Sequence, residues 1–203
     1  FETGNVSPVS IMDIVNEQQS SLFYILKKLP AETRKAGRAT VKAFGVKSRF
    51  VHFEFFRLLK DQKGLGKAGD LVALEVNMRP SGGFTPDMIN FARETDVYKI
   101  WADMVAYDST QKSVGAHHFC AFAGLRDGKD FALTPDDIIE KYDAQLKMVE
   151  RMPDALADAM GNQMYLATFD TEEELNAFFA DVTRLKEVDT SEESEITETI
   201  IDK

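Results

Sequence analysis

An acid, an amide and an arginine are spaced along residues 70–79 in a way that could hold a metal ion and a phosphate. Glu75 and Asn77 alternate with apolar residues, so in a strand both side chains point to the same face. Arg79 follows two residues later. Mg²⁺ prefers oxygen ligands, and a guanidinium binds phosphate oxygens through two parallel hydrogen bonds. The segment therefore predicts a site for a hard cation and an anion.

The strand predicted immediately before this segment supplies a second acid. Residues 49–59 are rich in aromatics, and period-two alternation places His52 and Glu54 on one face. The polar, glycine-rich loop that follows predicts a hairpin with the next strand. If the two strands pair around the middle of that loop, Glu54 faces Glu75 and His52 faces Asn77.

Two carboxylates opposed on one face of a hairpin repel each other, because like charges on neighbouring strands destabilise a sheet. A bound cation relieves that repulsion, so we expect Glu54, Glu75 and Asn77 to hold Mg²⁺ or Mn²⁺. His52 would orient a ligand or contact a phosphate, unless it is an ordinary histidine on the face of a sheet. A solvent-facing hairpin with two exposed acids explains the same spacing and is the alternative.

A glycine loop and a helix start follow the arginine. Ser81, Gly82 and Gly83 precede Thr85-Pro86-Asp87, where a cap residue, a proline and an acid mark a first helical turn. N–H groups at a helix start bind anions, so the loop could hold a substrate carboxylate. Asp87 weakens the positive potential there.

The remaining pattern predicts an α+β chain with three parts. These are residues 1–110 around the hairpin, a small α+β subdomain at 111–186 and an acidic tail at 187–203, which is expected to be disordered. The expected elements are a helix or turn at 11–29, a helix at 30–44, a helix from 85 to about 105 with Tyr98, Trp101, Met104 and Val105 buried, a hairpin of 113–125 with 131–133, a capped helix at 134–149, a strand at 163–169, and a helix opened by a capping box at 171–186.

Composition excludes several classes of function. The formal net charge is −10, of which 7 − 1 = 6 negative charges lie in residues 187–203, and this argues against binding to nucleic acid or to an anionic membrane. No apolar run is long enough to span a membrane. A single cysteine, Cys120, excludes an internal disulfide and fits a reducing cytoplasm. His118 and Cys120 share a strand face but lack further ligands, so a packed strand is favoured over a zinc site.

The acidic strand followed by a Glu-x-Asn-x-Arg run resembles the ATP-grasp superfamily. Members carry a glutamate on one strand of the second grasp lobe and the Glu-x-Asn-x-Arg run on the next. Here these are Glu54 in V-H-F-E-F-F, and Glu75, Asn77 and Arg79 in L-E-V-N-M-R-P. The resemblance covers roughly residues 1–105 in the order of the elements.

The resemblance implies an ATP- and Mg²⁺-dependent ligase that activates a carboxylate as an acyl-phosphate and joins it to an amine or similar nucleophile. Glu54, Glu75 and Asn77 would hold the metal that bridges the ATP phosphates. Arg79 would act as the catalytic residue by contacting the γ-phosphate or the acyl-phosphate. His52 and the loop of Ser81, Gly82 and Gly83 would help to bind ATP or the substrate.

The resemblance also implies a second lobe, because ATP-grasp enzymes hold the nucleotide between two lobes. The chain looks like the C-terminal half of such a ligase, so a preceding ATP-binding lobe is expected as its partner. Residues 111–186 would close over the active site or form a homodimer contact.

Two alternatives remain. A noncatalytic binding or interaction module could retain the shape of the grasp lobe. The second alternative is a relative of carbamoyl-phosphate synthase or biotin carboxylase. In biotin-carboxylating members, however, the arginine is followed by Gln-Val-Glu-His. Here the corresponding run is Ser81-Gly82-Gly83-Phe84, which favours the carboxylate–amine ligases.

Overall fold

A computed structural model describes residues 2–8, 11–110 and 114–187. It confirms the α+β class, and the expectation of a disordered tail at 187–203 lies almost wholly outside the described residues. In chain order the described elements are β1 (Asn5–Val6), α1 (Ile11–Asn16), β2 (Ser21–Ile25), α2 (Ala31–Ala43), β3 (His52–Arg57), β4 (Leu71–Asn77), α3 (Thr85–Arg93), α4 (Val97–Tyr107), β5 (Phe119–Leu125), α5 (Pro135–Tyr142), β6 (Leu146–Arg151), α6 (Asp154–Met160), β7 (Gln163–Phe169) and α7 (Glu172–Thr183). None of these helices is long and apolar enough to cross a membrane.

Five strands form one antiparallel sheet in the order β1-β2-β5-β7-β6, and β3 and β4 form a separate two-stranded sheet. The larger sheet joins distant parts of the chain, since Ile25 of β2 pairs with Cys120 of β5 and Phe119 of β5 pairs with Phe169 of β7. The boundary predicted between residues 110 and 111 therefore runs through a single sheet.

The larger sheet buries both of its faces. Ala121 and Ala123 of β5 point to a core that also contains buried residues of α5 and α7. Cys120 and Phe122 point to a second core, on the side of α3. Alternate residues of one strand thus enter two different cores, as the period of a strand requires. The result is a sheet with helices on both sides.

The predicted helix from 85 to about 105 is wrong, because the chain forms two helices there. Glu94 adopts a left-handed conformation (φ 45°) that ends α3, and the Asp96 side chain accepts a hydrogen bond from Lys99 N to cap α4. The predicted buried stripe is also wrong. Tyr98, Trp101 and Val105 are 53%, 49% and 69% exposed, and α4 buries Val97 and Ile100 instead.

The second predicted hairpin is also wrong. β5 pairs with β2 and β7, and Phe131 instead forms an isolated bridge with Leu185. The predicted helix or turn at 11–29 is confirmed over α1 only, since the same segment also contains the strand β2. The helix at 134–149 ends at Tyr142, before the strand β6. The helix at 30–44, the strand at 163–169 and the capping box of Thr171 with Glu174 are confirmed.

A buried arginine ties the N-terminal part of the fold to α6. Arg126 is 6% exposed, and its guanidinium donates to four backbone carbonyls. Two of them belong to the α1 region, at Ile14 (3.1 Å) and Gln19 (3.0 Å). The other two belong to α6, at Ala157 (2.8 Å) and Asp158 (2.5 Å). A buried cation held by carbonyls alone fixes the position of α1, because each donor needs its acceptor in place.

Candidate metal- and phosphate-binding site

The hairpin of β3 and β4 brings the two predicted carboxylates together. In the antiparallel register Glu54 lies opposite Glu75, and His52 lies opposite Asn77. Residues directly opposite each other in an antiparallel pair point to the same face of the sheet. The four side chains therefore share one face, and the predicted register at the acids is confirmed.

A β-bulge lies directly beside the carboxylate pair. After Glu54 and Glu75 the next pair is Phe55 with Ala73, so Leu74 is an extra residue on β4. A bulge bends its strand and increases the local twist, and bulges are common next to active sites. The pairing nearer the loop is thus shifted by one residue relative to the pairing at the acids, and the sequence pattern did not reveal this.

Each carboxylate has a polar neighbour two residues away on its own strand. The Nδ2 atom of Asn77 donates to Oε1 of Glu75 at 2.5 Å, and Nε2 of His52 lies 3.5 Å from Oε1 of Glu54. Because Asn77 donates with its nitrogen, its amide oxygen points elsewhere and can serve as a ligand. The Glu54 side chain is 42% exposed, so the face is accessible to a ligand from solvent.

The imidazole of His52 has one nitrogen without a partner. Its Nδ1 atom is buried and accepts or donates no hydrogen bond within the described residues. Buried polar atoms are normally paired, because leaving one unpaired costs about 1–3 kcal/mol. The buried Nδ1 atom of His52 is thus a polar atom whose hydrogen-bonding capacity the hairpin itself does not satisfy.

Contacts at its loop end hold the hairpin in place. Arg57 at the end of β3 donates from Nη2 to Glu32 of α2 and from Nη1 to the carbonyl of Gly69, each at 2.9 Å. In the loop, carboxylates of Asp61 and Asp70 accept hydrogen bonds from backbone N–H groups at 2.9 and 2.8 Å. Two acids of the loop thus hold the loop backbone. Glu54 and Glu75 take no part in these hydrogen bonds.

Arg79 lies at the rim of the site. It follows the end of β4 by two residues, its side chain is exposed, and its Nη1 donates to the carbonyl of Pro80 at 2.9 Å. The guanidinium keeps further N–H donors for a ligand, since it carries five in all. The structure thus places the predicted catalytic arginine beside the predicted metal ligands along the chain, with its cation facing solvent.

The glycine loop leads into α3 as predicted, but the cap differs. Helix α3 begins at Thr85 with Phe84 as its N-cap, and no side chain caps it. Gly83 has φ 58°, in the left-handed region that favours glycine, and Gly82 is exposed. At this helix start Thr85 N donates to the carbonyl of Gly82 at 3.4 Å and Pro86 has no N–H, which reduces the N–H groups that an anion could use. The Asp87 carboxylate accepts a hydrogen bond from the Tyr98 hydroxyl at 3.0 Å.

The donor set fits magnesium better than zinc. Across residues 2–8, 11–110 and 114–187, no group of three or more His, Cys, Asp or Glu side chains could hold a metal ion. That finding covers His52, Glu54 and Glu75, so what the hairpin offers is the donor types on one face of the sheet, namely two carboxylates and one amide oxygen. Mg²⁺ is commonly bound by one or two carboxylates, with waters and phosphate oxygens completing six positions, whereas structural Zn²⁺ takes four protein ligands.

A second polar cluster, around His118, was not predicted. Its Nδ1 lies 2.7 Å from Oδ1 of Asp170 and its Nε2 lies 3.5 Å from Oε1 of Glu94. The hydrogen bond from the Ala116 N–H, and then that from His118, hold the pKa of Glu94 below its ordinary value. A surface cavity of about 220 Å³ adjoins the cluster, lined by His118, Ala144, Gln145, Thr168, Phe169, Asp170 and Glu174.

This cluster depends on the pairing of β5 with β7. Phe119 pairs with Phe169, which brings residues 118 and 170 together across 52 positions of sequence. No local pattern could have indicated that pair. Cys120, two residues after His118, is fully buried, and burial raises the pKa of its thiol to about 12. A thiolate ligand is therefore not available next to His118.

Comparison with known proteins gives this chain no family, since no family model matches the sequence and no curated protein matches it significantly.

Proposed function

We propose that this chain forms the metal- and phosphate-binding lobe of an ATP-dependent ligase of the ATP-grasp type. The observation that carries the proposal is the register of the hairpin, in which Glu54 lies opposite Glu75 and His52 lies opposite Asn77. Two like charges on directly opposed residues of a sheet repel each other and lower the stability of the fold. A divalent cation bound between them removes this repulsion, which favours its binding. The alternative is a solvent-facing hairpin, since Glu75 is exposed and the Glu54 side chain is 42% exposed, and the metal-binding experiment below separates the two.

In this proposal Glu54, Glu75 and the amide oxygen of Asn77 hold Mg²⁺ or Mn²⁺. The bound metal supplies charge neutralisation for the phosphates of ATP. Arg79 binds a phosphate oxygen with its free N–H donors and stabilises negative charge that develops there. His52 keeps the carboxylate of Glu54 oriented through its Nε2 atom, 3.5 Å from Oε1 of Glu54.

The substrates would be a small carboxylate and an amine or similar nucleophile. The uncapped start of α3, next to Ser81, Gly82 and Gly83, is where the carboxylate would bind through backbone N–H groups. Asp87 in the first turn opposes an anion there, although its carboxylate is already engaged by Tyr98. A further lobe that grips the nucleotide from the other side is part of the proposal.

Metal-dependent thermal stabilisation tests the metal site. A cation at about 100 times its dissociation constant stabilises the folded state by about 2.7 kcal/mol. For a chain of this length that corresponds to a rise in melting temperature of about 5–10 °C. Differential scanning fluorimetry with Mg²⁺ and with Mn²⁺ measures the shift, and the electron paramagnetic resonance signal of free Mn²⁺ counts the ions bound.

The matched variants are Glu75→Gln and Glu150→Gln, which each remove one carboxylate from a strand. Glu150 is exposed on β6 and has no part in the site. We expect Glu75→Gln to abolish the shift and Glu150→Gln to preserve it. Absence of Mn²⁺ binding in the unaltered protein, or equal shifts in the two variants, would refute the metal site. Metal binding that is not followed by any affinity for ATP would favour the noncatalytic module.

A further inference from the structure

The segment that surrounds α2 carries an excess of positive charge in an acidic protein. Residues 27–49 contain eight cations and one acid, so their net charge is 8 − 1 = +7, against −10 for the whole chain. The eight cations are Lys27, Lys28, Arg34, Lys35, Arg38, Lys42, Lys47 and Arg49. We call the surface formed by α2 and these flanking residues the α2 basic surface.

The cations of α2 form one stripe along the helix. At about 100° per residue, Arg34, Lys35, Arg38 and Lys42 fall within roughly 100° of the helix circumference. None of the residues of α2 is buried. Arg38 is four residues from both Arg34 and Lys42, and like charges at that spacing destabilise a helix. The stripe therefore gains stability from any anion that binds along it.

One carboxylate already binds this stripe. Glu2 bridges two of the arginines, with its Oε2 3.1 Å from Nε of Arg34 and its Oε1 2.6 Å from Nε of Arg38. The hydrogen bond from Arg38 holds the pKa of Glu2 below its ordinary value and raises the pKa of Arg38. The geometry of the stripe thus suits glutamate side chains.

Lys27 of the α2 basic surface lies 3.9 Å from Oδ1 of Asp170, but four other cations of this surface have no such partner. Lys35, Lys42, Lys47 and Arg49 are exposed, and they form no ion pair with any acid in the described part of the chain. Glu2 therefore pairs with only two of the cations of the α2 basic surface, and others remain available to bind carboxylates.

We propose that the acidic C-terminal segment, residues 187–203, docks on the α2 basic surface of its own chain. The segment carries 7 − 1 = 6 net negative charges, supplied mainly by glutamates of the kind that Glu2 exemplifies. Its charge nearly balances the +7 of residues 27–49. A nucleic acid is the poorer occupant, because the net charge of −10 repels a polyanion at long range.

The segment is long enough to reach the surface. An extended chain spans about 3.3 Å per residue, so the 16 residues that follow Glu187 reach up to about 50 Å. A folded chain of this size has a radius of gyration of about 17 Å. Since the segment is covalently attached, its effective concentration at α2 is high, and weak charge pairs suffice to populate the contact.

Docking there would place the segment next to the hairpin. Glu32 of α2 is bonded to Arg57 at the end of β3, so the helix and the hairpin are neighbours. The segment would then shield the α2 basic surface from other anions. This inference rests on the charges and contacts of α2 and is independent of the proposed ligase function.

Paramagnetic relaxation enhancement in the chain of residues 1–203 tests the contact. Ser194→Cys introduces an attachment point for a nitroxide, and the native Cys120 is fully buried and does not compete for the label. We expect the strongest broadening of backbone amide signals at residues 35–43. The broadening should vanish at about 1 M salt, where the Debye length falls to about 3 Å.

Charge reversal provides the matched control. Lys35→Glu with Lys42→Glu should reduce the broadening at α2 several-fold. Lys99→Glu with Lys147→Glu makes the same change in net charge at exposed positions on α4 and β6 and should leave the broadening intact. Broadening without a maximum at α2, persistence at high salt, or an equal effect of the two double variants would overturn the proposal.

Discussion

Replacing Arg126 by methionine is expected to destabilise the fold by about 2–5 kcal/mol. Methionine keeps most of the apolar length of the side chain but removes every donor of the guanidinium. The change therefore isolates the four bonds to backbone carbonyls that hold α1 against α6.

The magnitude follows from what each carbonyl retains. The carbonyl of Ile14 also accepts from Gln19 N at 3.1 Å, and that of Ala157 also accepts from Gly161 N at 2.9 Å. The carbonyls of Gln19 and Asp158 have Arg126 as their described donor. Two buried or partly buried acceptors left unpaired cost about 1–3 kcal/mol each. The removal of a buried cation returns part of that cost.

Thermal unfolding followed by far-ultraviolet circular dichroism measures the loss, which corresponds to about 10 °C in melting temperature. Arg151→Met is the matched control, because Arg151 is exposed and forms an ion pair with Asp127 at 2.6 Å. Such surface pairs contribute about 0–1 kcal/mol. Equal losses in the two variants would show that the buried guanidinium does not hold α1 and α6 together.

Three further predictions follow from the packing and the ionisable groups. Gly124→Ala should cost about 3 kcal/mol, because a Cβ there overlaps a backbone carbonyl of the α6 terminus, whereas Gly37→Ala, in open space on α2, should stabilise by about 0.5–1 kcal/mol. Urea unfolding of the two variants checks this, and losses of equal size would contradict the close approach. The hydrogen bond from Lys141 lowers the pKa of Asp181, so this carboxylate contributes stability that is complete above its ordinary pKa of about 4 and is lost as the pH falls through the lowered value. Asp181→Asn should remove that part of the pH dependence of the unfolding free energy between about pH 6 and pH 2, and an unchanged profile would refute it. Cys120 should react with a thiol reagent at about pH 8 only after denaturation, since burial raises its pKa to about 12, and rapid labelling of the native protein would contradict its burial.

The hairpin shows which features a sequence pattern can predict. Its two strands are separated by a short polar loop, so their pairing is local and their alternation limits the register to few choices. The opposition of Glu54 to Glu75 followed from the centre of the loop and is confirmed. The bulge at Leu74 did not follow, because one extra residue leaves the composition of the strand unchanged.

The strand β2 shows why other elements were missed. Its sequence S-L-F-Y-I is a short apolar run, and such a run fits a buried strand or a buried helix equally well. The segment forms a strand because β1 and β5 pair with its two edges. The strand β5 lies about a hundred residues further along the chain. The stripe of Tyr98, Trp101 and Val105 failed for a related reason, since apolar spacing on a helix does not reveal which face meets the core.

The sequence by itself determined the chemistry on the hairpin, namely the residue types, their shared face and the pairing of the two acids. These depend on strand alternation and on one short loop, both of which are local properties. Only the tertiary structure decided that one sheet unites β2 with β5 and β7, that Arg126 joins α1 to α6, and that His118 meets Asp170. Those contacts link segments far apart in the chain, and they are selected by which apolar faces can be buried together, which a local pattern does not encode.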